Sequence, residues 1–93
     1  MASRRYNRLS EEIKRALSDI IRSDVKDPRI SELMSITGVQ VTEDLKFAKI
    51  YVSDYKDIDT TLIALESAKG FIKREIGKRV KMRIIPELIF MRD

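Results

Sequence analysis

The spacing of apolar residues changes period three times along this 93-residue chain, and no other feature restricts its fold as much. Tyr6, Leu9, Ile13, Ala16, Leu17, Ile20 and Ile21 recur every three or four positions, which places them on one face of a helix. That helix is expected to end near Asp24 to Asp27. Pro28 disfavours helical geometry in the residue before it and has no N–H to donate. A loop through Ser35 follows. From Ile36 to Thr42 the residues are β-branched and partly alternating. From Lys46 to Ser53 the alternation is clean, with Ala48, Ile50 and Val52 on one side and Lys49, Tyr51 and Ser53 on the other. Glu43-Asp44-Leu45 between the two runs reads as a hairpin turn.

Helical spacing returns at Ile58, Leu62 and Leu65, with Asp57 and Asp59 as candidate N-caps. Ser67-Ala68-Lys69-Gly70 interrupts it. Glycine costs about 1 kcal/mol relative to alanine inside a helix, so its presence predicts a bend or a close backbone approach. A third helix is expected beyond it, with Phe71, Ile72, Ile76 and Val80 inward and Gly77 weakening its last turn. Met82 to Met91 reads as a strand, which Pro86 places at a sheet edge. Phe47 and Phe71 are expected in the core, while Tyr51 and Tyr55 are the aromatic side chains available for stacking.

The order is therefore helix, strand, strand, helix, kink, helix, strand. A hairpin makes the first two strands antiparallel, and a two-helix crossover returns the third strand parallel to the second, with right-handed connectivity. These rules predict an α+β fold with a three-stranded mixed sheet, the second strand central, and three helices packed on one face. The other face, with Lys49 and Tyr51, is expected to be solvated.

Composition narrows function. With 43% apolar and 37% charged residues the chain reads as globular, and three Gly, two Pro and no repeat leave no linker, so residues 1–93 are expected to form one domain. There is no Cys and no His, which removes thiol chemistry, the usual zinc ligands and the commonest general base. Asp54, Asp57 and Asp59 lie in a polar turn where capping accounts for them, and no glycine-rich phosphate loop exists. The expectation is a binding protein: no enzyme activity, no cofactor, no metal and no small-molecule substrate. No apolar run exceeds four residues, and polar residues follow Arg4-Arg5 where a twin-arginine signal needs an apolar stretch. A cytoplasmic chain with no membrane partner is expected.

Charge is segregated along the chain. Lys69, Lys73, Arg74, Lys78, Arg79, Lys81 and Arg83 stand against one acidic residue, Glu75. That 69–83 stretch carries +6, leaving −2 on the rest of a chain whose total is +4. Lys73, Arg74 and Lys78 fall opposite Ile72, Ile76 and Val80, giving the third helix a cationic outer face that can bind phosphates by counterion release. A solvated face whose cations favour the negative end of the helix dipole is the competing reading. On the first helix, Arg8 and Glu12, Glu11 and Arg15, and Arg15 and Asp19 are four residues apart, so mutual pairing is expected there. Only its start, with Arg4, Arg5 and Arg8, has unopposed charge that could serve as a basic arm on nucleic acid.

Two helices joined by a short Gly-containing kink and followed by a strand resemble a KH domain, and the helix-strand-strand prefix resembles its type II arrangement. KH modules clamp the nucleic-acid backbone with a GXXG loop. In Ser67-Ala68-Lys69-Gly70, Ala68 departs from that loop, and the Ala68-Lys69-Gly70 kink resembles the ribosome-binding factor A family of bacterial small-subunit assembly factors. The resemblance also rests on Arg8 to Ile13, Asp27-Pro28-Arg29-Ile30, the run from Asp44 to Ser53, Ala64 to Arg74, and Pro86-Glu87-Leu88. It implies a monomer that binds the free 30S subunit through 16S rRNA, acts late in maturation near the 5′ end of that RNA, and matters most in cold growth. Members of the family usually continue past the last strand, whereas this sequence stops at Asp93, so any role of that tail is not carried over. A general single-stranded RNA-binding KH module would need an intact GXXG clamp. A protein-interaction domain with a basic face would need an acidic partner.

Overall fold

Ala48, Ile50 and Val52, alternate residues of the cleanest strand pattern, are all fully buried, and the rest of the fold is arranged around them. The computed structural model describes the backbone of residues 4–93 and the side chains from residue 8 onward. In chain order it contains α1 (Arg4–Ser23), β1 (Met34–Val41), β2 (Phe47–Asp54), α2 (Ile58–Ser67), α3 (Lys69–Arg79) and β3 (Glu87–Arg92). β2 is central, antiparallel to β1 and parallel to β3. Its buried side packs with Ile13, Leu17 and Ile20 of α1, Leu65 of α2, Ile72 and Ile76 of α3, and Leu88 of β3. The mixed sheet with helices on one face is the arrangement that hairpin and crossover rules dictate.

β1 explains why its own alternation is imperfect. Ile36 and Val41 are both buried although an odd number of residues apart, which a regular strand would place on opposite faces. The pairing moves from Ile36 opposite Val52 to Gly38 opposite Tyr51, so Thr37 is an extra residue that resets the parity. Its hydroxyl donates to the Tyr51 carbonyl at 3.2 Å. At the far end of β1 the Val41 N–H donates to Ser10 Oγ of α1 at 3.1 Å, satisfying an edge amide and fixing the helix to the strand.

The connection from β2 to α2 is held by side chains. Asp57 caps α2 by accepting the Thr60 N–H at 3.1 Å. Thr61 is a fully buried polar residue, and its hydroxyl donates to Asp54, which also accepts the Lys56 N–H at 2.8 Å. Burial pushes the Asp54 carboxyl up, but the hydrogen bonds from Thr61, Lys56 and Asp57 together outweigh it and hold the group below its ordinary value. Asp57 is held down by hydrogen bonds from the Thr60 side chain and backbone.

Four expectations are corrected. The last strand begins at Glu87 and not at Met82, because Pro86 has no N–H and the ladder starts with the next amide, Glu87 N–H to Lys46 O at 2.8 Å. Phe47 is 42% exposed, since it shares the outer side of β2 with Lys49 and Tyr51. Phe71 is 36% exposed, because the buried stripe of α3 runs through Ile72 and Ile76 and its neighbour is turned off it by the helical rotation. Among the described residues none of the four-residue charge pairs expected within α1 forms; Asp19 reaches Arg79 of α3 instead.

Ile50→Ala is expected to cost about 2–5 kcal/mol of unfolding free energy, read as a lower urea midpoint. Ile89→Ala, on the open face, should move the midpoint far less. Acid is expected to destabilise through Asp54 and Asp57. Their folded values lie below the ordinary 3.8, so the stability they confer is complete above it and is lost as pH falls through the folded values. With no His to titrate, stability should stay nearly flat between about pH 5 and 8 and fall below about pH 4. A double Asp54→Asn, Asp57→Asn variant should show a shallower acid limb in pH-dependent urea titrations.

Candidate nucleic-acid interface

The bend between α2 and α3 is a single residue. Ala68 closes α2 by donating its N–H to the carbonyl oxygens of Ala64 and Leu65 at 3.0 and 3.2 Å, and its own carbonyl accepts the Ile72 N–H of α3 at 2.9 Å. Its φ of −91° and ψ of 2° are those of the third residue of a type I turn, and the negative φ means no glycine is needed to turn the chain. Gly70 lies one residue into α3 with ordinary helical φ, and a Cβ there would meet only the Arg74 guanidinium, at 3.8 Å. Of the bend or close backbone approach expected here, the chain shows the bend, at Ala68, while only Arg74 of the same helix comes near a Cβ placed at Gly70. No side chain caps the start of α3, whose first residues are Lys69 and exposed Gly70.

The cations expected to bind phosphate separate into two groups. Lys69 pairs with Glu66 at 2.6 Å, Lys73 with Glu87 at 3.0 Å and Lys78 with Glu75 at 2.9 Å. Arg79 bridges Asp19 at 2.6 Å and Asp24 at 2.8 Å, clasping the C-terminal ends of α3 and α1, an internal role that sequence reasoning did not assign it. By contrast, Arg8, Arg74, Lys81 and Arg83 have no carboxylate within ion-pair distance among the described residues. Arg4 and Arg5 lie in the first turn of α1, and their side chains fall outside the described residues.

Four of these positively charged side chains meet around one groove, joined there by Lys46. Arg8 of α1, Lys46 of the hairpin turn, Lys73 of α3, and Lys81 and Arg83 of the α3–β3 connection line it, over apolar Leu9, Leu45, Met82 and Ile85. Ile84, Glu12, Asp44 and Glu87 complete the lining. Arg74, Lys78 and Lys69 lie outside this groove, on α3 and at the kink.

Lys46 is the functional candidate that the sequence reading missed. A topological signal was available: β2 and β3 run parallel, so the residue entering β2 and the residues entering β3 lie at the same end of the sheet. The turn that carries Lys46 is tightly held. The Asp44 carboxylate accepts the Thr42 hydroxyl at 2.7 Å and the Lys46 N–H at 3.0 Å, and these bonds, the Thr42 one foremost, lower its pKa. Leu45 takes a left-handed φ of 61°, unusual for a residue with a Cβ, and turns its side chain onto the core.

The remaining carboxylates from the 54–59 turn are occupied in structure: Asp54 with Thr61, Asp57 as a helix cap, and Asp59 with Arg92. Among the described residues no group of three or more Asp or Glu is placed to hold a metal ion. No helix among them is long and apolar enough to cross a membrane.

Comparison with known proteins identifies the family of the chain. The family model described as ribosome-binding factor A matches residues 5–93. Ribosome-binding factor A from Clostridium tetani is 51% identical over 96 residues, which span 100% of this chain and 79% of the relative. The crystal structure of ribosome-binding factor A from Thermus thermophilus superposes with a TM-score of 0.88 at 29% identity, covering 94% of this chain and 93% of that one. A second Thermus thermophilus ribosome-binding factor A structure, a homology model fitted into a cryo-EM map of a complex with the 30S subunit, superposes with a TM-score of 0.78 at 30% identity, covering 90% of each chain. A family match from the first turn of α1 to the last residue, with half the positions shared with a relative aligned along the whole chain, makes this protein a member of the ribosome-binding factor A family.

Proposed function

We propose that this chain binds the free 30S small ribosomal subunit through its 16S rRNA, as a monomer in the cytoplasm, and assists late maturation near the 5′ end of that RNA, with most effect in cold growth. It acts by binding and not by catalysis. The observation that carries the reading is the convergence of Arg8, Lys46, Lys73, Lys81 and Arg83 from four separate parts of the chain around one groove. A merely solvated helix face would need only the cations of α3, and it gives no reason for Arg8 and Lys46 to meet them. The complex of the Thermus thermophilus relative with the 30S subunit supports the choice of partner.

Phosphates would neutralise the rim cations and release counterions, while the apolar floor can take sugar or base surface. Arg74, Lys78, Lys69 and the bare backbone at Gly70 extend the contact along α3. That accounts for a glycine that the fold itself does not require and that costs about 1 kcal/mol relative to alanine. A domain of this kind shifts an RNA folding equilibrium only by its differential affinity for one conformer.

Filter-binding titrations against intact 30S subunits and 16S rRNA fragments, repeated across salt, test this. Lys46→Ala, Lys73→Ala and Arg74→Ala should each weaken binding and lower the salt slope by about one. Lys56→Ala, beyond the other end of β2, should change neither. Unchanged affinity and slope for a combined Lys46, Lys73, Arg74 and Lys78 alanine variant would sink the RNA reading and favour an acidic protein partner. Strong base preference on short oligonucleotides with no gain on intact subunits would favour a general single-stranded RNA module.

A further inference from the structure

Lys73 differs from the other cations of the groove. Its ammonium sits 3.0 Å from Glu87 Oε1, whereas Arg8, Lys46, Lys81 and Arg83 have no carboxylate at ion-pair distance among the described residues. Both partners are anchored. Lys73 follows buried Ile72 on α3, and Glu87 opens β3 directly after buried Pro86, with its own N–H tied to Lys46 O at 2.8 Å. The pair therefore links two fixed backbones, although its side chains remain partly open to solvent. Lys69 adds a second positive field at the same carboxylate.

We propose that Glu87 is an internal competitor for phosphate: it holds the Lys73 ammonium in the free protein, and RNA binding must displace it. The proposal rests on the RNA reading of the groove. A phosphate that reaches Lys73 gains a charge-assisted hydrogen bond, but it breaks an existing one and meets the negative charge of Glu87 at close range. Glu87 thus lowers affinity at a site that is otherwise cationic. An assembly factor that must leave the subunit after use gains from such an attenuator, because Glu87 recaptures the ammonium as phosphate departs.

The test is Glu87→Gln in the full chain, which removes the charge and keeps the shape. Its affinity for 30S subunits and 16S rRNA fragments should rise about two- to fivefold, with slower dissociation in a chase experiment and an unchanged thermal midpoint. In a Lys73→Ala background the same substitution should change affinity by less than about a factor of two, because the competing pair no longer exists. Glu43→Gln is the control for overall charge, since Glu43 is exposed in the hairpin turn and outside the groove lining. Equal tightening by Glu43→Gln, or the same gain with and without Lys73, would show a bulk charge effect and overturn the proposal. So would unchanged or weaker binding by Glu87→Gln. If Lys46→Ala and Arg74→Ala still weaken binding in that case, the RNA reading survives and only the role of Glu87 falls.

Discussion

Burial of Ala48, Ile50 and Val52 on the central strand is the constraint from which the rest of the structure follows. A strand with one fully buried side tolerates no slip in register, because a one-residue shift would exchange that side for Phe47, Lys49 and Tyr51. Register on both flanks is thereby set: Val41 stands opposite Ala48 on the antiparallel side, and Leu88 stands beside Ala48 on the parallel side. The parallel pairing has a geometric consequence for function. It brings the hairpin turn before β2 and the connection before β3 to one end of the sheet, where the N-terminal half of α1 also lies through the bond from Val41 to Ser10. The groove is a product of strand direction, and its cations come from wherever the chain passes that end.

Net charge is a poor guide to what such a surface offers. The 69–83 stretch is strongly basic in sequence, yet Lys69, Lys73, Lys78 and Arg79 each have a carboxylate partner in the folded chain. Exposed pairs of this kind contribute little to stability, about 0–1 kcal/mol each, so their main effect is on what a ligand must displace. Arg79 stands apart because it binds two carboxylates at once, Asp19 of α1 and Asp24 just after it, and so joins two helix ends. Within and around the groove, the cations without a carboxylate partner among the described residues are Arg8, Lys46, Arg74, Lys81 and Arg83, spread over α1, the hairpin turn, α3 and the loop after it.

Element order, the hairpin, the parallel return of the last strand and the buried residues of α1, β2 and α3 were legible because each rests on a local period or a chirality rule. Most of the failures share a cause in contacts distant along the chain. The bulge at Thr37 was invisible because only the partner strand reveals an extra residue. Pairing along α1 was inferred from four-residue spacing, and Asp19 found Arg79 sixty positions away instead. Phe47 is the exception: its residue type suggests the core, but the parity of β2 already places it outside with Lys49. The site divides in the same way: the cations of α3 could be read from a helical wheel, whereas Lys46 enters only through strand direction.

Gly70 carries the same reasoning into function. A glycine inside a helix lowers stability, and here neither positive φ nor crowding from the chain compensates for it. The bend beside it is made by Ala68 in a conformation that alanine adopts freely. Under the proposed RNA function, a residue that the fold does not need, at the start of α3 and next to a lysine, would leave room for the partner to approach the backbone closely. A phosphate backbone fits that role, since it is small enough to use the missing side chain and negative enough to favour the end of the helix dipole. On that proposal, the groove and the kink would address one partner at two places. Both are held on fixed elements, α3 and the sheet end, so an RNA partner under this proposal would bring its phosphates to them in a matching shape.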